Sequence, residues 1–276
     1  ASRGLGDVYK RQPPKDLFVT HAKYRFYYPE PDDYATAFDE AAAVIAQQNP
    51  ELETFFPWRD FLDIKDQFLG GIKHPSKEHP GSAGILIFFR WFLLQNILEN
   101  GLLQEYDFFV ITRSDHMYVL PHPSMEFNNE KISIPTGQGY GGLTDRHVVL
   151  PRKFVVPYLD ILTKMVTNGQ NYIQKMRSCI LWNLERFIKF HLRNHGILKH
   201  VQLFPRIMYA MRSEGGSTRW VSGQFSQQHG YYIKYPSEYQ EAERTKAKFL
   251  NSGVLLEDFY ITHTTKLYQN RSSKKT

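Results

Sequence analysis

The segment that most constrains the fold is Tyr106-Asp107-Phe108-Phe109-Val110-Ile111-Thr112-Arg113-Ser114-Asp115-His116. Residues 107–112 show no polar alternation, which is the pattern of a strand buried on both faces in a parallel-type sheet. The apolar run passes directly into Arg-Ser-Asp-His. Ligands of α/β sheets bind outside the carboxyl ends of strands, so the polar residues fall where a site is expected. A carboxylate there holds a divalent cation through oxygen, and an arginine neutralises phosphate. The alternative is a surface turn with chance charges.

The rest of the chain alternates helical and extended patterns without an internal repeat, which predicts an α/β fold with a mainly parallel sheet. Residues 16–21 read as a strand, and 35–48 as an alanine-rich helix ended by Asn49-Pro50. Residues 51–80 read as irregular, with a short helix near 60–69. Ser82 is placed to cap a buried helix that Gly101 closes. Short strands are expected at 132–134, 148–150 and 231–235. A strand region at 201–211 is broken by Pro205. Helices are expected at 151–166, 183–194 and 238–250, the second carrying Leu184, Phe187, Ile188 and Leu192 at helical spacing before Gly196.

Composition removes several function classes. The net charge is +6, but Arg3, Lys10 and Arg11 lie at one end and Arg271, Lys274 and Lys275 at the other. No dense basic stripe is left to follow a phosphate backbone, so no nucleic-acid partner is expected. The one cysteine, Cys179, permits neither an internal disulfide nor a zinc site of paired cysteines. No apolar run reaches the ~18 residues of a membrane span; the longest, residues 83–94, is interrupted by Arg90. P-loop, zinc-protease and nucleophile-elbow motifs do not occur.

Residues 2–12, SRGLGDVYKRQ, resemble the translation of a transposase-based sequencing adapter. Residues 1–12 are therefore expected to be an artefact outside the native domain, with the native chain extending upstream. The expected organisation is one domain over 13–265 and a basic polar tail over 266–276.

Four further groups can carry chemistry. Gly141-Gly142-Leu143-Thr144-Asp145-Arg146-His147 couples permissive backbone to three polar side chains, as a sugar pocket or as a surface turn with an Asp145–Arg146 pair. Asn183-Leu184-Glu185 opens a helix, with Glu185 in its first turn, where it compensates the helix dipole. Arg206, Arg212, Arg219 and Trp220 suit phosphate or sugar contact, or buried ion pairs. His229 stands before a glycine and an aromatic strand, where a plain surface histidine is the favoured reading.

The order Y-D-x-F-x-I-T-R-S-D-H, then G-G-x-x-D-R-H, resembles glycosyltransferases of the GT-A kind, in particular glycosyltransferase-like proteins of microalgae, algal viruses and bacterial surface-polysaccharide loci. Arg90-Trp91 resembles the helix before their acidic strand, and the likeness spans residues 16–239. It implies a GT-A-like sheet whose first strand lies upstream of the chain, with Asp16-Leu17-Phe18-Val19 as the second. It implies an enzyme moving a sugar from a nucleoside-diphosphate donor to a glycan hydroxyl in polysaccharide biosynthesis. Arg113, Asp115 and Arg219 would hold the diphosphate. Arg146, His147 and Trp220 would line the acceptor or sugar pocket, and Glu185 or Asp145 would act as base. Asp115 and His229 would be the ligands of Mn2+ or Mg2+, although Arg113 replaces the first acid of the family's Asp-x-Asp and puts metal dependence in question. The rival reading is a non-catalytic GT-A-like carbohydrate-binding or scaffold domain, or an inactive fragment of an enzyme. A cytoplasmic location is expected for this chain, or the Golgi lumen if an anchor precedes it.

Overall fold

The computed structural model describes residues 20–64, 68–73, 81–124, 130–177, 181–212 and 223–266. Arg219, Trp220, Cys179, residues 1–12 and the tail from 267 onward lie outside the described residues. Of the strand expected at 16–21, only Thr20 and His21 are described, and both are helical.

The fold is α/β with two sheets. Helix α1 spans Tyr34–Gln48, where the Asp33 carboxylate accepts from the Ala35 amide as its cap. A 3-10 turn follows at Trp58–Asp63. Helix α2, Ala83–Glu99, is apolar almost all round, as a helix inside a core must be. It packs against α1, α4 (Arg152–Leu159) and α5 (Ile161–Thr167). Ser82 stands at its start without a side-chain capping bond. Gly101 takes a left-handed φ of 65° after it and opens the short helix α3, Leu102–Glu105.

Strands β1 (Phe108–Thr112), β3 (Ile132–Pro135), β4 (His147–Pro151), β5 (Val201–Phe204) and β9 (Thr265–Lys266) form one sheet in the order β1-β4-β3-β5-β9. Strands β2 (His116–Tyr118), β6 (Met208–Arg212), β8 (Tyr231–Ile233) and β7 (Gln224–Ser226) form the other, in the order β2-β6-β8-β7. The expected mainly parallel sheet is not found. Among the described residues only β3–β5 is parallel in the first sheet, and the pairs of the second are antiparallel.

The reason lies in β1. It pairs only with β4 among the described residues, so it is an edge strand. Phe109 and Ile111 pack on the core, while Val110 on the opposite face is 40% exposed. Apolar residues on both faces look like double burial in a sequence, but only one face is covered.

The helix expected at 151–166 is broken at Asp160 into α4 and α5, with Pro157 inside α4. Helix α6, Gly169–Met176, was not marked by the sequence. Helix α7, Leu184–Asn194, begins as expected, with the Asn183 side chain accepting from the Arg186 amide, 2.8 Å. Helix α8 spans Pro236–Ser252, and α9 Leu256–His263.

The chain passes between the sheets several times, and two of these crossings flank the β2–β6 pair. Residues 113–115 carry it from β1 to β2, and residues 205–207 from β5 to β6, which is why Pro205 interrupts the expected strand. Each crossing is bonded to the partner strand at one end of the short β2–β6 ladder, Met211 N–H to the Asp115 carbonyl at 2.8 Å and Val119 N–H to the Ile207 carbonyl at 2.8 Å. The seam between the sheets therefore holds Arg113, Asp115 and Arg206.

Candidate functional site

At this seam the Arg113 guanidinium grips the Asp115 carboxylate with two parallel bonds, Nε to Oδ1 at 2.7 Å and Nη2 to Oδ2 at 2.6 Å. Burial opposes both charges. The pair outweighs it, raising Arg113 and holding Asp115 below the usual carboxylate range. The charge of Asp145 also acts on Arg113.

Asp145 and Glu185 come together through glycine. A Cβ on Gly142 would lie 1.9 Å from the Glu185 carbonyl oxygen, so only glycine lets the 140–143 turn lie on the start of α7. The Leu143 amide donates to that same carbonyl, 3.0 Å, and Arg186 Nε donates to the Tyr140 carbonyl, 3.2 Å. From α2, Arg90 Nη2 donates to the Asp145 carbonyl, 3.2 Å. Burial, and then the charge of Asp145, push the Glu185 carboxyl up to about 7.

Beneath the turn, Arg146 bonds the fully buried Glu238 of α8 and stacks over Tyr235 with 4.2 Å from guanidinium carbon to ring centre. Arg206, 1% exposed, lies 3.6 Å from the same carboxylate, whose other oxygen accepts from the Ala210 amide at 3.1 Å. Lys234, 6% exposed, is pushed down to about 7 by burial and by Arg113 and Arg212. A cluster in which cations depress one another favours an anion.

A histidine layer adjoins the cluster. His147 is buried, with Nδ1 2.9 Å from Thr112 Oγ1 and Nε2 3.0 Å from His122 Nε2. Both nitrogens of His147, expected in a sugar pocket, thus face protein groups. His229, expected beside Asp115 as a metal ligand, lies 3.3 Å from the Tyr239 hydroxyl and stacks on Tyr231. Among the described residues, no three His, Cys, Asp or Glu side chains assemble as a metal-binding group.

The expected residues Arg113, Asp115, Asp145, Arg146 and Glu185 are thus linked through charge, Asp145 acting on both Arg113 and Glu185. Sequence reasoning missed Lys234 and Glu238. The only signal for Glu238 is an acid in the first turn after Pro236, which ordinary dipole compensation also explains.

Comparisons with family models, with curated proteins and with solved structures return no match. Fold and cluster define an α/β protein with a cation-rich seam between two sheets. Among the described residues, no helix is long and apolar enough to cross a membrane.

Proposed function

We propose that this chain is a GT-A-like glycosyltransferase that moves a sugar from a nucleoside-diphosphate donor to a hydroxyl of a glycan acceptor. The observation that carries the reading is the position of Asp145, whose charge reaches both the Arg113–Asp115 pair and Glu185. A group suited to a phosphate and a group suited to a proton therefore share one neighbourhood.

In the proposed reaction, the acceptor hydroxyl oxygen attacks the anomeric carbon while the bond from that carbon to the diphosphate oxygen breaks. The hydroxyl proton passes to Glu185, whose pKa of about 7 matches a general base at neutral pH. The departing diphosphate keeps the electron pair, and Arg113 and Lys234 meet its charge. The charge of Asp145 raises the proton affinity of Glu185.

A divalent cation does not fit the donor set well. Both Asp115 oxygens are taken by Arg113, and His229 is turned to Tyr239. We therefore assign the charge-neutralising role to the guanidinium and the lysine. The closed Arg113–Asp115 pair also favours a second reading, a non-catalytic carbohydrate-binding or scaffold domain.

The test is release of nucleoside diphosphate from a panel of UDP- and GDP-hexoses by the full chain, with and without Mn2+, Mg2+ and a glycan acceptor. Turnover without metal is expected, with Glu185→Gln lowering it on the order of 10²–10⁴-fold. Binding without turnover supports the scaffold, a strict metal requirement overturns the assignment to Arg113 and Lys234, and absence of binding overturns both readings.

A further inference from the structure

The hydrogen bonds around the histidine layer run in one direction only. His122 Nδ1 lies 2.7 Å from the Pro123 carbonyl. A carbonyl only accepts, so this nitrogen carries the proton. Burial lowers the basicity of His122, of His147 to about 3 and of His116 to about 4, so all three rings are neutral at pH 7. His122 Nε2 is therefore bare and must accept from His147 Nε2, 3.0 Å away. That leaves His147 Nδ1 bare, and Thr112 Oγ1 donates to it at 2.9 Å.

The single proton of Thr112 is then used. Its hydroxyl oxygen, 3.4 Å from His116 Nδ1, can only accept from that ring. Tyr118 Oη lies 3.4 Å from both Thr112 Oγ1 and His147 Nδ1; the nearer Thr112 hydroxyl, at 2.9 Å, holds the single lone pair of that nitrogen, so Tyr118 donates to the remaining lone pair of the Thr112 oxygen. The chain thus fixes His116 with its proton on Nδ1 and a lone pair on Nε2. That Nε2 is buried and has no partner among the described residues. A buried acceptor left unmatched costs about 1–3 kcal/mol, so such an atom is expected to have a use.

The surroundings indicate what it accepts from. The charges of Asp115, Arg113, Arg146 and Arg206 bear on His116, and Arg206 Nη2 is another buried atom without a partner among the described residues, a donor. A ligand satisfying both presents an acceptor oxygen to the arginine and a hydroxyl proton to the histidine. Arg113, three residues before His116, is the group assigned to phosphate.

We propose that His116 Nε2 accepts a sugar hydroxyl of the bound nucleotide sugar, held in that role by the one-way chain through Thr112, His147 and His122 to the Pro123 carbonyl. This rests on the glycosyltransferase reading above for the identity of the ligand. The tautomer pattern stands independently of it. His116 is thereby a selector for the sugar, separate from the groups that hold the diphosphate.

Two measurements decide it. Long-range 1H–15N correlation spectra of the full chain, labelled in its imidazoles at pH 7, are expected to show Nδ1 protonated in His116 and His122, and Nε2 protonated in His147. Thr112→Val removes the acceptor for His116 and is expected to release its tautomer while leaving the His122–His147 pair unchanged. A proton on Nε2 of His116 in the wild type overturns the proposal.

The second measurement is calorimetric binding of UDP, GDP and the UDP- and GDP-hexoses. His116→Phe is expected to weaken the bound hexose nucleotide ~10-fold while leaving the matching diphosphate unchanged, and His116→Gln, which keeps an acceptor, to restore most of the loss. Equal hexose binding by wild type and His116→Phe overturns the role of His116. If the wild type binds none of these ligands, the glycosyltransferase reading fails, and a bare His116 Nε2 in the spectra still supports the chain.

Discussion

Gly142 lies against the start of α7 so closely that an added Cβ would stand 1.9 Å from the Glu185 carbonyl oxygen. The contact is backbone on backbone, with the next residue, Leu143, donating its amide to that same carbonyl at 3.0 Å. It fixes the distance between Asp145, three residues beyond the glycine, and the Glu185 side chain. The glycine pair serves the packing of one protein segment on another.

Gly142→Ala is therefore expected to cost roughly 3 kcal/mol or more, because neither backbone can yield without moving the turn or the helix. Gly196→Ala is the control. Its Cβ meets nothing within 4 Å, but its φ of 68° is positive, so a loss near ~1 kcal/mol is expected. Urea denaturation of the two variants checks this, and an unchanged midpoint for Gly142→Ala would refute the packing role.

Glu185 has a folded-state pKa raised to about 7, so its contribution to stability is fully present below the ordinary glutamate pKa. That contribution is lost as pH rises to about 7, and stays constant above. Glu185→Gln removes this slope. Relative to wild type the variant is expected to gain about 1–2 kcal/mol between pH 4 and pH 8, after discounting for the partial exposure of the side chain. A stability difference independent of pH would contradict the assigned shift.

Glu238 is the counter-charge of two buried arginines. Glu238→Ala leaves Arg146 with Asp145 alone at 4.0 Å and Arg206 with Glu241 alone at 3.5 Å, and is expected to cost ~3 kcal/mol. Asp107→Ala breaks an exposed pair with Arg152 and is expected to cost about 1 kcal/mol or less. Thermal and chemical unfolding of the two variants side by side gives the comparison.

Lys234, pushed down to about 7, is only partly charged near neutrality. An anion bound beside it favours the charged form, so nucleoside-diphosphate binding at pH 7–8 is expected to take up protons and to weaken as pH rises. Glu185 shifts the same way beside an anion and adds to the uptake. Calorimetry in buffers of different ionisation enthalpy measures it. Lys234→Met is expected to reduce the uptake and weaken binding ~10-fold; proton release by the wild type would exclude this role.

Helix α7 was legible because three local signals agree, the Asn183 cap, the apolar spacing and the stop at Gly196. Helix α2 was legible because a run so apolar has only the core to occupy. Arg90 within it looked like an interruption, and its purpose, the bond to the Asp145 carbonyl, depends on a residue 55 positions away. Strand β1 was found in the right place and assigned the wrong neighbours, since pairing direction is not written in an apolar run. Lys234 and Glu238 belong to no motif, and their burial follows from where β8 and α8 deliver them.

The sequence by itself determined the local elements, the break at Pro205 and the order in which polar groups leave β1, because caps, spacing and ring constraints act within a few residues. Only the tertiary structure decided that two of the sheet crossings flank one short strand pair, that a glycine brings Asp145 beside Glu185, and that the histidine protons point one way. Those outcomes depend on non-local backbone contacts and on which buried polar atom must find a partner, and neither is a function of neighbours along the chain.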